Sequence, residues 1–378
     1  MASTPYLVLD PGGLRVLLEA LRSRGHSLIG PRLDQGAIVY DAIASADELP
    51  VGWVDDQHPG SYRLQQHDDG AYFAYVVGPH SWKRFLHPPR VTLFRLERSG
   101  DGFTTQAASP DRSRYAFIGV RPCEIEAIAI QDRIFLDGPF VDAGYAARRD
   151  DLFVVAVNCA RAAETCFCAS MATGPRAHDG FDLALTEVAG EDHHFVVEVG
   201  SVAGREVMGE VPHRQASEGE VEAALAISDA TAAGMVRHLD TDGIKHALHD
   251  GVDHPHWDDV AARCLACTNC TMVCPTCFCT TVQEVSDLDG QGAARERIWD
   301  SCFNTDFSYI HGGAIRSSVK ARYRQWLTHK LAAWIDQFGT SGCVGCGRCI
   351  TWCPVGIDLT AEVPALRRAI TVPASAER

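Results

Sequence analysis

The sequence predicts a first half of mixed α/β or α+β class and a second half that is mainly α-helical and organised around cysteines. Three observations predict it. Short apolar runs broken by turn residues fill the first half, helix-favouring segments dominate the second, and two dense cysteine groups lie beyond residue 260. With 378 residues, and roughly 100 to 200 residues per domain as a prior, the chain should hold two domains.

In the first half the strands are read from apolar runs bounded by turn signals: Ala71–Val77 before Gly78-Pro79, Val91–Leu96, Tyr115–Val120 and Leu152–Val157. Helical patterns at Gly13–Arg24 and Glu124–Leu136 lie among them and exclude a pure β architecture. Residues near Val197 to Gly219 are rich in Gly, Glu and small side chains with weak periodicity, and Glu220–Arg237 then favours helix strongly. The boundary is set there, giving domains 1–219 and 220–378.

The clearest helix of the second half is Ile315–Phe338. Val319, Tyr323, Trp326, Leu327, Leu331, Trp334 and Phe338 recur at helical spacing and read as core. Arg316, Lys320, Arg322, Arg324 and Lys330 occupy the other face and read as solvated surface, with docking or cluster tuning the sharper alternative.

The formal charge of −15 argues against a nucleic-acid partner, because phosphate binding draws its affinity from a basic surface. The start of the chain lacks a basic patch followed by an apolar stretch and a cleavage site. No run approaches 18 apolar residues, so a cytoplasmic protein with no membrane span is expected. Fifteen cysteines in such a chain favour metal or redox chemistry over a disulfide framework.

The spacing of those cysteines names the chemistry. Cys264-Leu-Ala-Cys267-Thr-Asn-Cys270-Thr-Met-Val-Cys274-Pro275 is a complete C-x2-C-x2-C-x3-C-P run, and Cys343-Val-Gly-Cys346-Gly-Arg-Cys349-Ile-Thr-Trp-Cys353-Pro354 repeats it. Steps of three residues let one loop offer three thiolates to one face of a cubane, while the fourth arrives from elsewhere. In two-cluster ferredoxins the last cysteine of each run serves the other cluster. Cys264, Cys267, Cys270 and Cys353 are therefore assigned to one [4Fe–4S] cluster, and Cys343, Cys346, Cys349 and Cys274 to the second. The C-terminal domain is thus expected to be ferredoxin-like. Pro275 and Pro354 suit a sharp exit from each loop, and Gly345 and Gly347 allow close backbone approach. Zinc is the competing reading, but its sites pair two C-x2-C hooks rather than three stepped cysteines.

A third group is expected in the first half. Cys123 and Cys159 each follow a predicted strand, and Cys166 and Cys168 share one loop. Loops beyond strand ends converge on one sheet edge, so Cys123, Cys159, Cys166 and Cys168 are read as ligands of a third [4Fe–4S] cluster, against a zinc site or buried thiols. Cys277, Cys279 and Cys302 remain. Thr276-Cys277-Phe278-Cys279 echoes Thr165-Cys166-Phe167-Cys168, which loosens the ligand sets, but packing against the clusters as small apolar residues is the preferred reading of the three.

Other chemistry is absent. No G-x-G-x-x-G follows a strand, no P-loop occurs, and no serine, histidine or carboxylate pair stands in a catalytic setting. His80, Lys83, Arg84 and His87 cluster in one segment that reads as a charged loop.

The segments Gly78–Pro89, Gly119-Val-Arg-Pro-Cys123-Glu, Ala156-Val-Asn-Cys159 and Cys166-Phe-Cys168-Ala-Ser-Met-Ala-Thr-Gly174 are more specific than ferredoxin spacing alone. So are Cys274-Pro-Thr-Cys-Phe-Cys279, Trp299-Asp-Ser-Cys302-Phe and Gly312-Gly313. Together with the second quartet they make most of the chain resemble the beta, iron–sulfur subunit of soluble heterotetrameric [NiFe] hydrogenases, or sulfhydrogenases, and the related A subunit of anaerobic sulfite reductase. The resemblance implies an electron relay between a flavin subunit handling NAD(P)H and the small subunit of a [NiFe] hydrogenase with its large subunit, and no flavin or nickel in this chain. In the sulfite reductase alternative the same relay feeds a sirohaem subunit. A zinc-binding structural adaptor is the alternative of a different class.

Overall fold

A computed structural model describes residues 6–109 and 111–368. Its first half is built on an eight-stranded sheet in the order 214–215, 6–9, 194–199, 183–188, 153–157, 115–120, 27–34, 37–42. The four strands 183–188, 153–157, 115–120 and 27–34 pair in parallel, and antiparallel strands flank them on both sides. All five residues of Phe153–Val157 are buried, as a central parallel strand covered on both faces requires. Helix Pro11–Ser23, capped by the Asp10 carboxylate on the Gly13 N–H at 2.6 Å, covers one face; helix Pro122–Phe135 covers the other. The first half is therefore α/β in character.

Ala71–Val77 departs from expectation. It is apolar and buried, but it forms no strand and crosses near the carboxyl ends of the parallel strands as irregular chain. Side chains satisfy its backbone instead: Glu187 accepts from the Tyr72 and Phe73 N–H groups at 2.6 and 2.8 Å, and Arg121 donates to the Phe73 and Tyr75 carbonyls at 2.8 and 2.6 Å. An apolar run reads as a strand because both are buried, yet what buried backbone needs is a partner, and side chains can supply it.

The second half is less helical than expected. Strands Thr280–Ser286 and Gly292–Trp299 form a hairpin, and the latter pairs antiparallel with Arg90–Ser99 of the first half, which in turn pairs with Gly102–Ala107. This four-stranded sheet spans both halves. Its strands carry many charged and small residues on exposed faces, so neither alternation nor an apolar run announces them. Helix Glu218–Ala233 starts at a capping box of Ser217 and Glu220. The expected Ile315–Phe338 helix runs from Val319 to Phe338, but five residues, His329–Ala333, wind as a π-helix.

Candidate iron–sulfur sites

Each quartet folds as a loop closed by one short helical turn, Asn269–Met272 in the first and Arg348–Thr351 in the second. Two left-handed residues shape each loop: Ala266 and Thr268 in the first (φ 49° and 70°), Gly345 and Gly347 in the second (φ 64° and 76°). Backbone N–H groups aim at sulfur, from Ala266 to Cys264 at 3.4 Å, Gly345 to Cys343 at 3.5 Å and Ile357 to Cys353 at 3.3 Å. Such donors stabilise negative sulfur and tune a cluster's potential.

The two runs come together in space. Cys264, Cys267, Cys270, Cys349 and Cys353 line one cavity with the apolar side chains of Phe303 and Trp326. Burial raises the Cys270 thiol well above its ordinary value, and its neighbours Cys264, Cys353 and Cys267 add to the rise. Burial likewise pushes Cys343 up to about 12; the Lys330 ammonium opposes this, while Cys274 and Cys346 add to it. Cys349 is raised by burial and by Cys343, Cys346 and Cys274. Among the described residues, no three His, Cys, Asp or Glu side chains converge tightly enough to hold a single metal ion. The thiols of the first set flank a gap, which suits a larger cluster better than the compact tetrahedron of zinc.

The first-half cysteines also converge. Cys123 opens helix Pro122–Phe135 just past strand Tyr115–Val120, and Cys159 follows strand Phe153–Val157, its parallel neighbour. With Cys166 and Cys168 they lie at the carboxyl ends of these strands, where parallel sheets hold ligands. All four are buried. Burial pushes Cys166 up to about 12 with Cys159 adding to it, and raises Cys123 with Cys168 and Cys346 adding to it.

The second quartet touches this third group directly. The Phe167 N–H donates to the Gly345 carbonyl at 2.8 Å, Thr173 Oγ1 to the Val344 carbonyl at 2.6 Å, and Thr165 and Thr351 hydroxyls meet at 2.8 Å. A Cβ on Gly345 would stand 2.7 Å from Cys168 Cα, and one on Gly347 would meet the Thr165 carbonyl oxygen. These two glycines are required by contact between loops as well as by backbone angle.

Several side chains of consequence were read otherwise from sequence. Lys330 and Arg322, expected on a solvated face, are buried. Lys330 Nζ donates to Cys274 Sγ at 3.1 Å and Thr276 Oγ1 at 2.9 Å; burial alone would lower its pKa, but Cys274 and Cys277 carry it well above the ordinary value. Arg322 donates to Thr305 Oγ1 at 2.7 Å. The Gly78–Pro89 segment is no charged surface loop: Lys83 is buried with Nζ 3.9 Å from the Trp299 ring centroid, and burial holds His87 down at about 3. Its signal was the apolar company of these residues, Trp82, Phe85 and Leu86.

Arg348 escaped the sequence reading altogether. Fully buried between Cys346 and Cys349, it donates to the Gly78 and His80 carbonyls, both at 2.8 Å, and to Glu124 Oε1 at 2.6 Å. Glu124, beside Cys123, also accepts from the Tyr40 hydroxyl at 2.6 Å and Trp82 Nε1 at 3.1 Å. One buried ion pair therefore joins the residue next to Cys123 to the second quartet.

The family model of a 4Fe–4S dicluster domain matches residues 263–357, the stretch that holds both quartets. The chain is 30% identical over 327 residues to sulfhydrogenase 2 subunit beta of Pyrococcus furiosus, an alignment covering 83% of this chain and 91% of that protein. The chain belongs to the sulfhydrogenase beta-subunit family. It is an iron–sulfur protein with a 4Fe–4S dicluster domain and a subunit of the oxidoreductase class, with an electron-transfer role. As a family member it is built for a multi-subunit complex. Among the described residues, no helix is long and apolar enough to cross a membrane.

Proposed function

We propose that this chain relays electrons between a flavin subunit that handles NAD(P)H and the small subunit of a [NiFe] hydrogenase, whose large subunit carries the nickel. Its proposed division is 1–219 and 220–378, the first part holding one [4Fe–4S] cluster and the second two. The ligand sets are Cys264, Cys267, Cys270 with Cys353; Cys343, Cys346, Cys349 with Cys274; and Cys123, Cys159, Cys166 with Cys168. The observation that carries this reading is contiguity: the second quartet shares its neighbourhood with the first through Cys274 and Cys270, and its loop hydrogen-bonds the Cys166–Cys168 loop.

A cubane, when bound, takes up and releases one electron with little rearrangement, which suits a relay between two-electron chemistries. The chain's own residues do the rest. Lys330 sets a buried positive charge against Cys274, favouring the reduced and more negative state of the centre there. Burial of the Cys123 group excludes water from the third centre. Cys267 is exposed, with Leu265 62% exposed beside it, so the first quartet is the one a partner can approach closely.

Two measurements test the reading. Anaerobic purification is expected to recover flavin-binding and nickel–iron subunits with this chain; a sirohaem subunit in their place would replace the hydrogenase reading. Cys166→Ser is expected to lose about four iron and about four sulfide per chain while the ferredoxin-type pair keeps its paramagnetic signals. Unchanged spectra would remove the third ligand set.

A further inference from the structure

Three cysteines stand outside these sets. Cys277, Cys279 and Cys302 come from two separate segments, yet they line one cavity together with Trp326, His329 and Lys330. We propose that this cavity holds a fourth [4Fe–4S] cluster, ligated by Cys277, Cys279 and Cys302, with the His329 imidazole on the remaining iron. The proposal rests on the electron-relay reading and lengthens it.

The arrangement repeats that of the first half. Cys279 and Cys277 form a C-Phe-C pair preceded by Thr276, as Cys166 and Cys168 do after Thr165. Cys302 follows strand Gly292–Trp299 as Cys159 follows strand Phe153–Val157. A C-x-C pair with a strand-end cysteine is thus used twice in this chain, on unrelated sheets. Packing as small apolar residues does not require three thiols to gather on one gap.

Charge points the same way. Lys83 and Lys330 are both buried, at 5% exposure each, and among the described residues neither has a carboxylate partner. Two ammonium groups left unpaired in the interior are strongly disfavoured. Cys274 alone answers one of them; thiolates at Cys277 and Cys279, beside Lys83, answer the other. Three thiolates on a [4Fe–4S] core of charge +2 carry a net −1, which two lysines and the cluster at Cys274 together accommodate.

The walls carry two further marks. The π-helix His329–Ala333 interrupts a long helix at this cavity and carries both His329 and Lys330; such turns cluster at functional sites. Trp326 is 4% exposed and its Nε1–H has no partner, a free donor on the cavity wall. Among the polar side chains lining the gap beside the cysteines, Thr276, Arg316, Gln325, His329 and Lys330, the imidazole is the iron ligand.

Cys277 adjoins Cys274 of the second centre, and Cys302 faces Cys270 of the first. The new site is therefore a branch beside the ferredoxin pair. It gives the relay a second terminus.

The full chain, loaded anaerobically with iron and sulfide, is expected to hold about sixteen iron and about sixteen sulfide. Cys302→Ser and Cys279→Ser are each expected to lose about four iron, and Cys166→Ser combined with Cys302→Ser about eight. His329→Ala is expected to keep the iron but alter one paramagnetic signal alone. About twelve iron in the wild-type chain, with Cys302→Ser and Cys279→Ser unchanged, would overturn the fourth cluster and leave the relay standing. One zinc lost with Cys302→Ser would also overturn it. A wild-type chain without iron would instead refute the relay itself.

Discussion

The two quartets share a spacing and a backbone but not an environment. Ala266 and Thr268 hold left-handed angles in the first loop, and both are partly exposed. Gly345 and Gly347 hold the same angles in the second, where Cys168 and Thr165 leave no room for a Cβ. The position before the third cysteine differs as much: Asn269 is exposed and reaches the Trp352 carbonyl at 3.3 Å, whereas its counterpart Arg348 is fully buried on Glu124. One cluster loop faces solvent and the other is the joint between the halves. Cluster spacing says where ligands are; the residues between them say what the loop is docked against.

Breaking the joint should therefore cost far more than the same change in the first loop. Arg348→Met leaves Glu124 charged and buried without its partner and is expected to lose about 3–5 kcal/mol in anaerobic denaturant unfolding. Asn269→Ala should stay within about 0.5 kcal/mol. Equal costs would mean that the Arg348–Glu124 pair does not hold the halves together. Gly347→Ala should follow at about 2–4 kcal/mol, from the clash with Thr165 and the left-handed angle.

A smaller effect concerns potential. Removing the buried charge in Lys330→Met should move the midpoint of the cluster at Cys274 to lower values, on the order of 100 mV, because the added electron loses a nearby cation. The cluster at Cys264, Cys267, Cys270 and Cys353 should move much less in the same redox titration; a common shift of both would show that Lys330 does not discriminate between them. The smallest change is a gain. Thr268→Gly relieves a left-handed β-branched residue and should raise stability by about 1 kcal/mol or less, read from the unfolding midpoint.

Legibility followed the distance over which a signal is written. The quartets were legible because cluster geometry is met by residues three apart in one loop, and helices at Pro11–Ser23 and Pro122–Phe135 because periodicity and caps are local. The strand-end position of Cys123 and Cys159 was readable for the same reason. The hairpin Thr280–Trp299 was not, since its partner Arg90–Ser99 lies far away in sequence and its own faces are mixed. Ala71–Val77 misled because its hydrogen bonds go to Glu187 and Arg121, which no local pattern reveals. Lys330 misled because its charge suggested solvent, although it lies four residues after Trp326 and three after Leu327, on the buried face of the helix.

By itself, then, the sequence determined that this protein binds iron–sulfur clusters, which cysteines form the two quartets, and that a mixed sheet domain precedes them. Those properties depend on short spacings and on residue chemistry that survive in any context. Only the tertiary structure decided which loops abut, that Arg348 and Glu124 pin the halves, that two lysines are buried beside the cysteines, and that Cys277, Cys279 and Cys302 share a cavity. Burial and contact between distant segments are properties of the packed chain: a lysine's charge is written in the sequence, but the partner that makes it worth burying is not.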